Sequence, residues 1–213
     1  MARISFREPI PEIYSSAELL HAAVDAHLAG DGTRASDLIS QTNNFMIREW
    51  LESIWGKASP HVNFRVVPNS PPILKKPQRI ETRMPSAAEK AALFQRDGFH
   101  CRFCGIPVIR REVRQHLHSI YPEALPWGRT NASQHAAFQA LWAQYDHILP
   151  HARGGTNALD NMVIACAACN FGRMDFTLEE VGIDDPRRRP IKHSDWNGLE
   201  HVLPAAKQVR LQA

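Results

Sequence analysis

The chain has 213 residues, of which 44% are hydrophobic and 22% charged, a composition typical of a globular protein rather than a disordered one. This length accommodates one modest domain with an appended region. The longest apolar run, Met162 to Cys169, is too short to cross a bilayer, and the N-terminus lacks the apolar segment of a signal peptide. We therefore expect a cytoplasmic protein without a membrane partner.

The net charge of +3 is small, but it is unevenly distributed along the chain. Residues 65–114 hold eleven Lys and Arg against four Asp and Glu, whereas the segments on both sides are slightly acidic. A basic stretch of this kind favours contact with a polyanion. A solvated protein face has the same pattern, so charge alone does not decide between the two.

The first 58 residues are predicted to form a helical N-terminal region. A capping-box pattern, Ser15 followed by Glu18, predicts the start of a first helix that ends before Gly30. Apolar spacing predicts two further helices, at 34–40 and 44–55.

Residues 59–85 change character and predict a basic, proline-rich connector with an edge strand at Val62–Val67. Its Lys75 and Lys76 are candidate nucleic-acid-binding residues, and Arg79 and Arg83 extend the same basic stretch. An ordinary linker would have the same composition, so both interpretations stay open.

The remaining chain is predicted to form a domain over 86–185 and a C-terminal segment, 186–213, that docks back on it. A second capping box, Ser86 with Glu89, predicts a helix that ends near Asp97 and Gly98. A helical insertion is expected at 105–143, with helices near 108–119 and 132–144.

The four cysteines form two Cys-x-x-Cys pairs, Cys101 with Cys104 and Cys166 with Cys169. Disulfides are rare in a chain without an export signal, and a redox motif needs only one pair. Two matched pairs predict a structural zinc site in which four thiolates fill the tetrahedral shell and leave no open position.

Between the cysteine pairs lies an ordered set of polar motifs. The chain reads Asp146-His147-Ile148-Leu149-Pro150, then Gly154-Gly155, then Asn161, and the second pair ends in Cys169-Asn170. Together with the stretch FQRDGFHCRFCG, this set resembles the HNH endonuclease family over about 90 residues, interrupted by the 105–143 insertion. The resemblance implies an α+β fold class, namely a ββα-metal nuclease domain stapled by zinc.

The residue types suit phosphodiester hydrolysis. His147 can take a proton from water near neutral pH, because the ordinary pKa of an imidazole is about 6.5. Asp146 offers an anionic oxygen and Asn170 a neutral carbonyl oxygen, both suited to Mg²⁺ or Mn²⁺. The resemblance implies the same roles: His147 as general base, Asp146 and Asn170 as metal ligands, and Asn161 as the brace of the loop that carries His147.

These features predict a metal-dependent endonuclease that acts on DNA, most simply double-stranded. Arg153 and Arg173 flank the predicted site and are candidate phosphate contacts. A protein partner is expected at the N-terminal helices or the 105–143 insertion, as in the effector of a bacterial defence or restriction system. The alternative is a zinc-stapled nucleic-acid-binding or adaptor module without catalysis.

Overall fold

The computed structural model describes residues 3–55, 58–209 and 211. These residues form eight α-helices, several short 3-10 turns and a two-stranded sheet. In chain order the elements are α1 (Pro11–Leu28), α2 (Gly32–Gln41), α3 (Phe45–Ile54), α4 (Ala87–Asp97), α5 (Arg111–Ile120), α6 (Ala136–Ala140), β1 (Ala143–His147), β2 (Met162–Cys166), α7 (Ala167–Arg173) and α8 (Leu178–Val181).

The three predicted N-terminal helices are present, but the first begins earlier than expected. Pro11 occupies the first turn of α1, where its missing N–H costs nothing, so Ser15 lies inside the helix and caps nothing. At α3 the side chain of Asn44 accepts from the Met46 N–H at 2.7 Å, which fixes the start of that helix.

The predicted capping box of α4 is confirmed. The Ser86 N–H donates to the Glu89 carboxylate at 2.6 Å, and the Glu89 N–H donates to the Ser86 hydroxyl at 3.2 Å. The helix ends at Asp97, before Gly98 with its φ of 68°.

Two other predicted elements were wrong. The edge strand at Val62–Val67 does not form, and its Arg65 N–H instead donates to the Glu180 carbonyl at 2.9 Å. The predicted helix near 132–144 is only Ala136–Ala140, because the chain then pairs with Ile109: the Ala143 N–H donates to the Ile109 carbonyl at 2.9 Å. These long-range bonds start strand β1 where apolar spacing predicted helix.

Strands β1 and β2 form an antiparallel hairpin whose register places Asp146 opposite Val163 and His147 opposite Met162. Helix α7 follows β2 without a connecting loop, and Cys166 is its N-cap. The described residues thus combine helices with one small sheet, which confirms the α+β class at this coarse level. Every residue of β2 is buried, whereas Gln144 and Tyr145 of β1 are half-buried, so β2 is the inner strand of the hairpin.

The hydrophobic core is continuous between the N-terminal helices and the hairpin. Helix α3 packs on α7 so closely that a Cβ at Gly172 would lie 2.8 Å from Ile54 Cγ2. Trp50 of α3 is 1% exposed and donates its indole N–H to the Glu8 carbonyl at 2.8 Å. Helix α7 is therefore held on one side by the hairpin and on the other by α3.

None of the described helices combines the length and the apolar character that a bilayer crossing requires.

Candidate functional site

The four cysteines converge on one point. Their sulfur atoms all lie within 4.8 Å of one another, and the Sγ atoms of Cys104 and Cys166 are 3.6 Å apart. Four thiolates around a tetrahedral zinc ion, each at about 2.3 Å, would lie about 3.8 Å apart. The first pair is tied to the hairpin by the Arg102 N–H, which donates to the Ile164 carbonyl at 2.8 Å. The cluster thus fits a zinc ion that joins the 101–104 turn to the start of α7.

Burial and the neighbouring sulfurs shift the pKa values of the Cys101 and Cys169 thiols in opposite directions. Burial opposes ionisation of Cys101, but hydrogen bonds from the other three sulfurs outweigh it and lower the pKa of that thiol. The hydrogen bonds to Cys101 and Cys104, together with burial, raise the pKa of the Cys169 thiol. A divalent cation bound at the cluster would offset the charge of all four thiolates.

Asp146 lies near the end of β1, where a buried arginine holds it. Both carboxylate oxygens of Asp146 accept from the guanidinium of Arg173, one of them at 2.9 Å. Arg173 is 1% exposed and also donates to the carbonyls of His147, Ile148 and Phe176. Its single charge therefore fixes both the Asp146 carboxylate and the backbone at the end of β1.

His147 follows directly and is only 7% exposed. Its Nε2 lies 2.8 Å from Oδ1 of Asn157, in the loop between the strands. Burial lowers the pKa of His147 below the ordinary imidazole value, and the bond to Asn157 and the Asp146 charge partly oppose that shift. A neutral imidazole at neutral pH can act as a base.

The loop between β1 and β2 is braced by Asn161. Its Oδ1 accepts from the Leu149 N–H at 2.8 Å, and its Nδ2 donates to the carbonyls of Leu149 and Thr156 at 3.2 and 2.9 Å. Gly155 is required here, because a Cβ would lie 1.8 Å from the Leu149 carbonyl oxygen and 2.9 Å from Nδ2 of Asn161. The contacts suit the bracing role that the resemblance implies for Asn161.

Asn170 lies on α7, next to β1. Its Nδ2 is 3.5 Å from Oε1 of Gln144, which leaves the carbonyl oxygen Oδ1 for another partner. The Asp146 carboxylate offers about four lone-pair sites, of which Arg173 occupies two. Hard oxygen donors on both residues fit a Mg²⁺ or Mn²⁺ ion that keeps most of its water.

Asp146, His147 and Asn170 line the same cavity, which has a volume of about 590 Å³. The connector also lines this cavity, with the basic side chains of Lys76, Arg79 and Arg83. The structure thus brings the basic connector over the predicted catalytic residues, a juxtaposition that their separation in sequence did not reveal.

The candidate phosphate-contacting residues differ in how far their charge is exposed or already paired within the protein. Lys75 and Lys76 are exposed. Arg153 is paired with Glu180 at 2.8 Å and donates to the carbonyls of Pro71 and Asp175, while Arg173 is buried against Asp146. Both arginines thus have partners within the protein, although Arg173 still lines the cavity. Phosphate binding by these four residues stays a prediction.

The basic stretch at 65–114 also contains arginines that serve the fold. Arg110 forms a buried pair with Glu200 at 2.6 Å, and the Arg114 guanidinium lies 3.7 Å from the centroid of the Trp127 ring. The net charge of this stretch therefore overstates the positive charge available to a ligand.

A second cluster joins α1 to the C-terminal segment. His21 and His201 each have Nε2 3.7 Å from a carboxylate oxygen of Asp25. Asn197 accepts from the Leu199 N–H at 3.0 Å, so its Nδ2 donates to Nδ1 of His201 at 3.1 Å. Neutral His201 then carries its proton on Nε2, the atom that faces Asp25, and this arrangement opposes cation binding there.

Comparison with known protein families finds a match for one segment of this chain. Residues 136–182 match the family model of the HNH endonucleases. The match covers less than a quarter of the 213 residues but includes Asp146, His147, Asn161 and the Cys166–Asn170 motif. Searches of curated proteins and of solved structures found no match. The resemblance to the HNH endonuclease family is thus confirmed for this segment, and it indicates a nuclease.

Sequence reasoning missed two features of the site. No sequence pattern links Asn157 to His147, which lies ten residues earlier, so their contact could not be predicted. The pairing of Arg173 with Asp146 spans 27 residues and depends on how α7 packs against β1. The available signal was that Arg173 lies three residues after the Cys-x-x-Cys-Asn motif, and this position predicted a contact with phosphate instead of an ion pair with Asp146.

Proposed function

We propose that the domain over 86–185 is a ββα-metal HNH nuclease that hydrolyses DNA phosphodiester bonds with the help of a divalent cation. The observation that carries the proposal is the shared cavity, in which His147, Asp146 and Asn170 face the basic connector. The order β1, β2, α7 and the match over 136–182 support the same assignment.

In this proposal His147 is the general base. It takes a proton from a water molecule, and the resulting hydroxide attacks the phosphorus atom and displaces the 3′ oxygen. That oxygen leaves with the electron pair of the broken P–O bond and takes a proton from solvent water. The products then carry a 5′ phosphate. The lowered pKa of the imidazole keeps it neutral, and so ready to accept that proton, at neutral pH.

Asp146 and Asn170 would hold the catalytic cation. When bound, a Mg²⁺ or Mn²⁺ ion offsets the negative charge that develops on the phosphate and on the departing oxygen. Arg173 orients the Asp146 carboxylate by donating to both of its oxygens. Zinc on the four cysteines is structural, since four thiolates leave no position for substrate.

Lys75 and Lys76, with Arg79 and Arg83, would neutralise backbone phosphates beside the cleavage site. Phosphate contacts of this kind position a nucleic acid without reading its sequence. We take double-stranded DNA as the substrate, with RNA as the competing substrate in the assay.

The test is cleavage of supercoiled plasmid and of a labelled RNA with Mg²⁺, with Mn²⁺ and with EDTA. We expect nicked or linear plasmid only when the cation is present. Asn170→Ala should lose cleavage while it keeps DNA affinity and zinc, because Asn170 lies outside the connector and the cysteine cluster. Binding of DNA without cleavage at any cation concentration would instead favour the zinc-stapled binding module.

A further inference from the structure

The connector continues past the cavity wall and docks on the loop between the two strands. We call residues 74–84 the strap. The Leu74 N–H donates to the Ala152 carbonyl at 2.8 Å, and Nε2 of His151 lies 2.7 Å from the Ile80 carbonyl oxygen. The third contact is made by Asn157, whose Nδ2 donates to the Thr82 carbonyl at 3.1 Å.

This last contact fixes the orientation of the Asn157 amide. A carbonyl oxygen such as that of Thr82 only accepts, so the amide nitrogen of Asn157 must face it. The amide oxygen therefore faces His147, 2.8 Å from Nε2. The strap thus decides which end of the Asn157 amide meets the imidazole.

The amide orientation in turn fixes the imidazole. An amide oxygen also only accepts, so its bond to His147 requires a proton on Nε2. A neutral imidazole with its proton on Nε2 has an unprotonated Nδ1.

We propose that Asn157, oriented by the Thr82 carbonyl of the strap, is a positioning residue that holds His147 in the Nε2–H tautomer and leaves Nδ1 as the basic atom. Naming Nδ1 as the atom that takes the proton from water rests on the proposed function, whereas the tautomer itself does not. We call the two contacts that link the Thr82 carbonyl, Asn157 and His147 the relay. Through them the orientation of the base depends on the docking of the strap, the segment that also carries the basic side chains.

The expected change in the tautomer ratio of His147 follows from the free energy of one hydrogen bond. A typical intramolecular hydrogen bond changes an equilibrium by about threefold to tenfold. Loss of the Asn157 contact should therefore shift the tautomer ratio of His147 toward Nδ1–H by that factor and release the ring from its single orientation.

The experiment reads the tautomer directly, by long-range ¹H–¹⁵N correlation of ¹⁵N-histidine-labelled full-length protein at about pH 8, above the ordinary imidazole pKa of about 6.5. His147 is assigned from the signals lost in His147→Gln. The wild-type protein should show a protonated Nε2 and an unprotonated Nδ1. Observation of Nδ1–H as the main wild-type form would overturn the proposal without any Asn157 variant.

Two substitutions separate the arms of the relay. Asn157→Ala removes both contacts and should shift the ratio threefold to tenfold. Asn157→Asp keeps an acceptor for Nε2 and should retain the Nε2–H form, although it loses the donor to Thr82. Asn63→Ala, in an exposed part of the connector, is the matched control and should leave the His147 signals unchanged.

Plasmid nicking by the same variants supplies the second readout. Asn157→Ala should lower the rate at saturating DNA, with zinc content unchanged, and Asn157→Asp should recover part of it. An unchanged tautomer ratio in Asn157→Ala would overturn the relay. A wild-type protein that shows the expected tautomer but cuts nothing would instead contradict the proposed function and leave the relay standing.

Discussion

Substitution of Arg173 by Met should destabilise the protein strongly, because it leaves the Asp146 carboxylate buried without its partner. Asp146 is 4% exposed, and Arg173 donates to both of its oxygens and to three backbone carbonyls. Removal of one partner of a buried ion pair costs about 3–5 kcal/mol. For a chain of this length, each kcal/mol lowers the melting temperature by about 2–4 °C, so we expect a decrease of roughly 6–20 °C.

The assay is thermal and urea unfolding of the zinc-loaded protein, with Arg188→Ala as the matched control. Arg188 is exposed, so its removal should change the free energy of unfolding by no more than about 0.5 kcal/mol. The double variant Asp146→Asn, Arg173→Met should recover part of the loss, because it buries no unpaired charge. A single Arg173→Met variant that unfolds at the wild-type temperature would refute the buried ion pair.

Four further changes test other parts of the structure. Cys166→Ser should lose the bound zinc, measured by elemental analysis, and aggregate or melt early; a zinc-free wild type of equal stability would contradict the structural role. Gly155→Ala should cost about 1–3 kcal/mol or more in urea unfolding, since the added Cβ meets the carbonyl of Leu149. Lys75→Ala with Lys76→Ala should weaken DNA binding and make the salt slope of log K shallower by about 2, and an unchanged slope would remove the lysines from the interface. His135, the residue before α6, is fully buried, and burial lowers its pKa to about 4, so the unfolded chain binds the extra proton below about pH 6.5. Stability should fall between pH 7 and 5, and His135→Gln should make that fall smaller by about 2 kcal/mol.

Local sequence signals predicted the parts of the fold that depend on neighbouring residues. The Ser86 and Glu89 capping box is satisfied within one turn of α4, so its pattern is reliable. The cysteine pairs predicted their own convergence, because each Cys-x-x-Cys turn offers two sulfurs to a shared site.

Elements that depend on distant partners were not predictable in this way. Apolar spacing extended a helix through Gln144, whereas hydrogen bonds to Ile109 and pairing with β2 make that segment a strand. In the same way, Arg110 belongs to the basic stretch at 65–114, but Glu200, 90 residues away, holds it in the interior. Charge patterns along a sequence cannot show which basic side chains the fold uses internally.

The candidate site shows the same division. The resemblance carried by Asp146, His147, Asn161 and Asn170 implied the hairpin and helix on which they lie, and all four residues fall inside the match over 136–182. The partners that orient these residues, Arg173 and the strap through Asn157, come from packing. The sequence alone therefore predicted which residues could carry the chemistry, but not which residues hold them in place.

The most direct test of the account is the rate at which His147→Ala nicks supercoiled plasmid with Mg²⁺ or Mn²⁺, beside wild-type protein of equal zinc content and melting temperature. Loss of a general base lowers a rate by about 10²–10⁴-fold. We predict a decrease of at least about 100-fold with DNA affinity retained. A His147→Ala protein that cuts at the wild-type rate would contradict the assignment of His147 as the base.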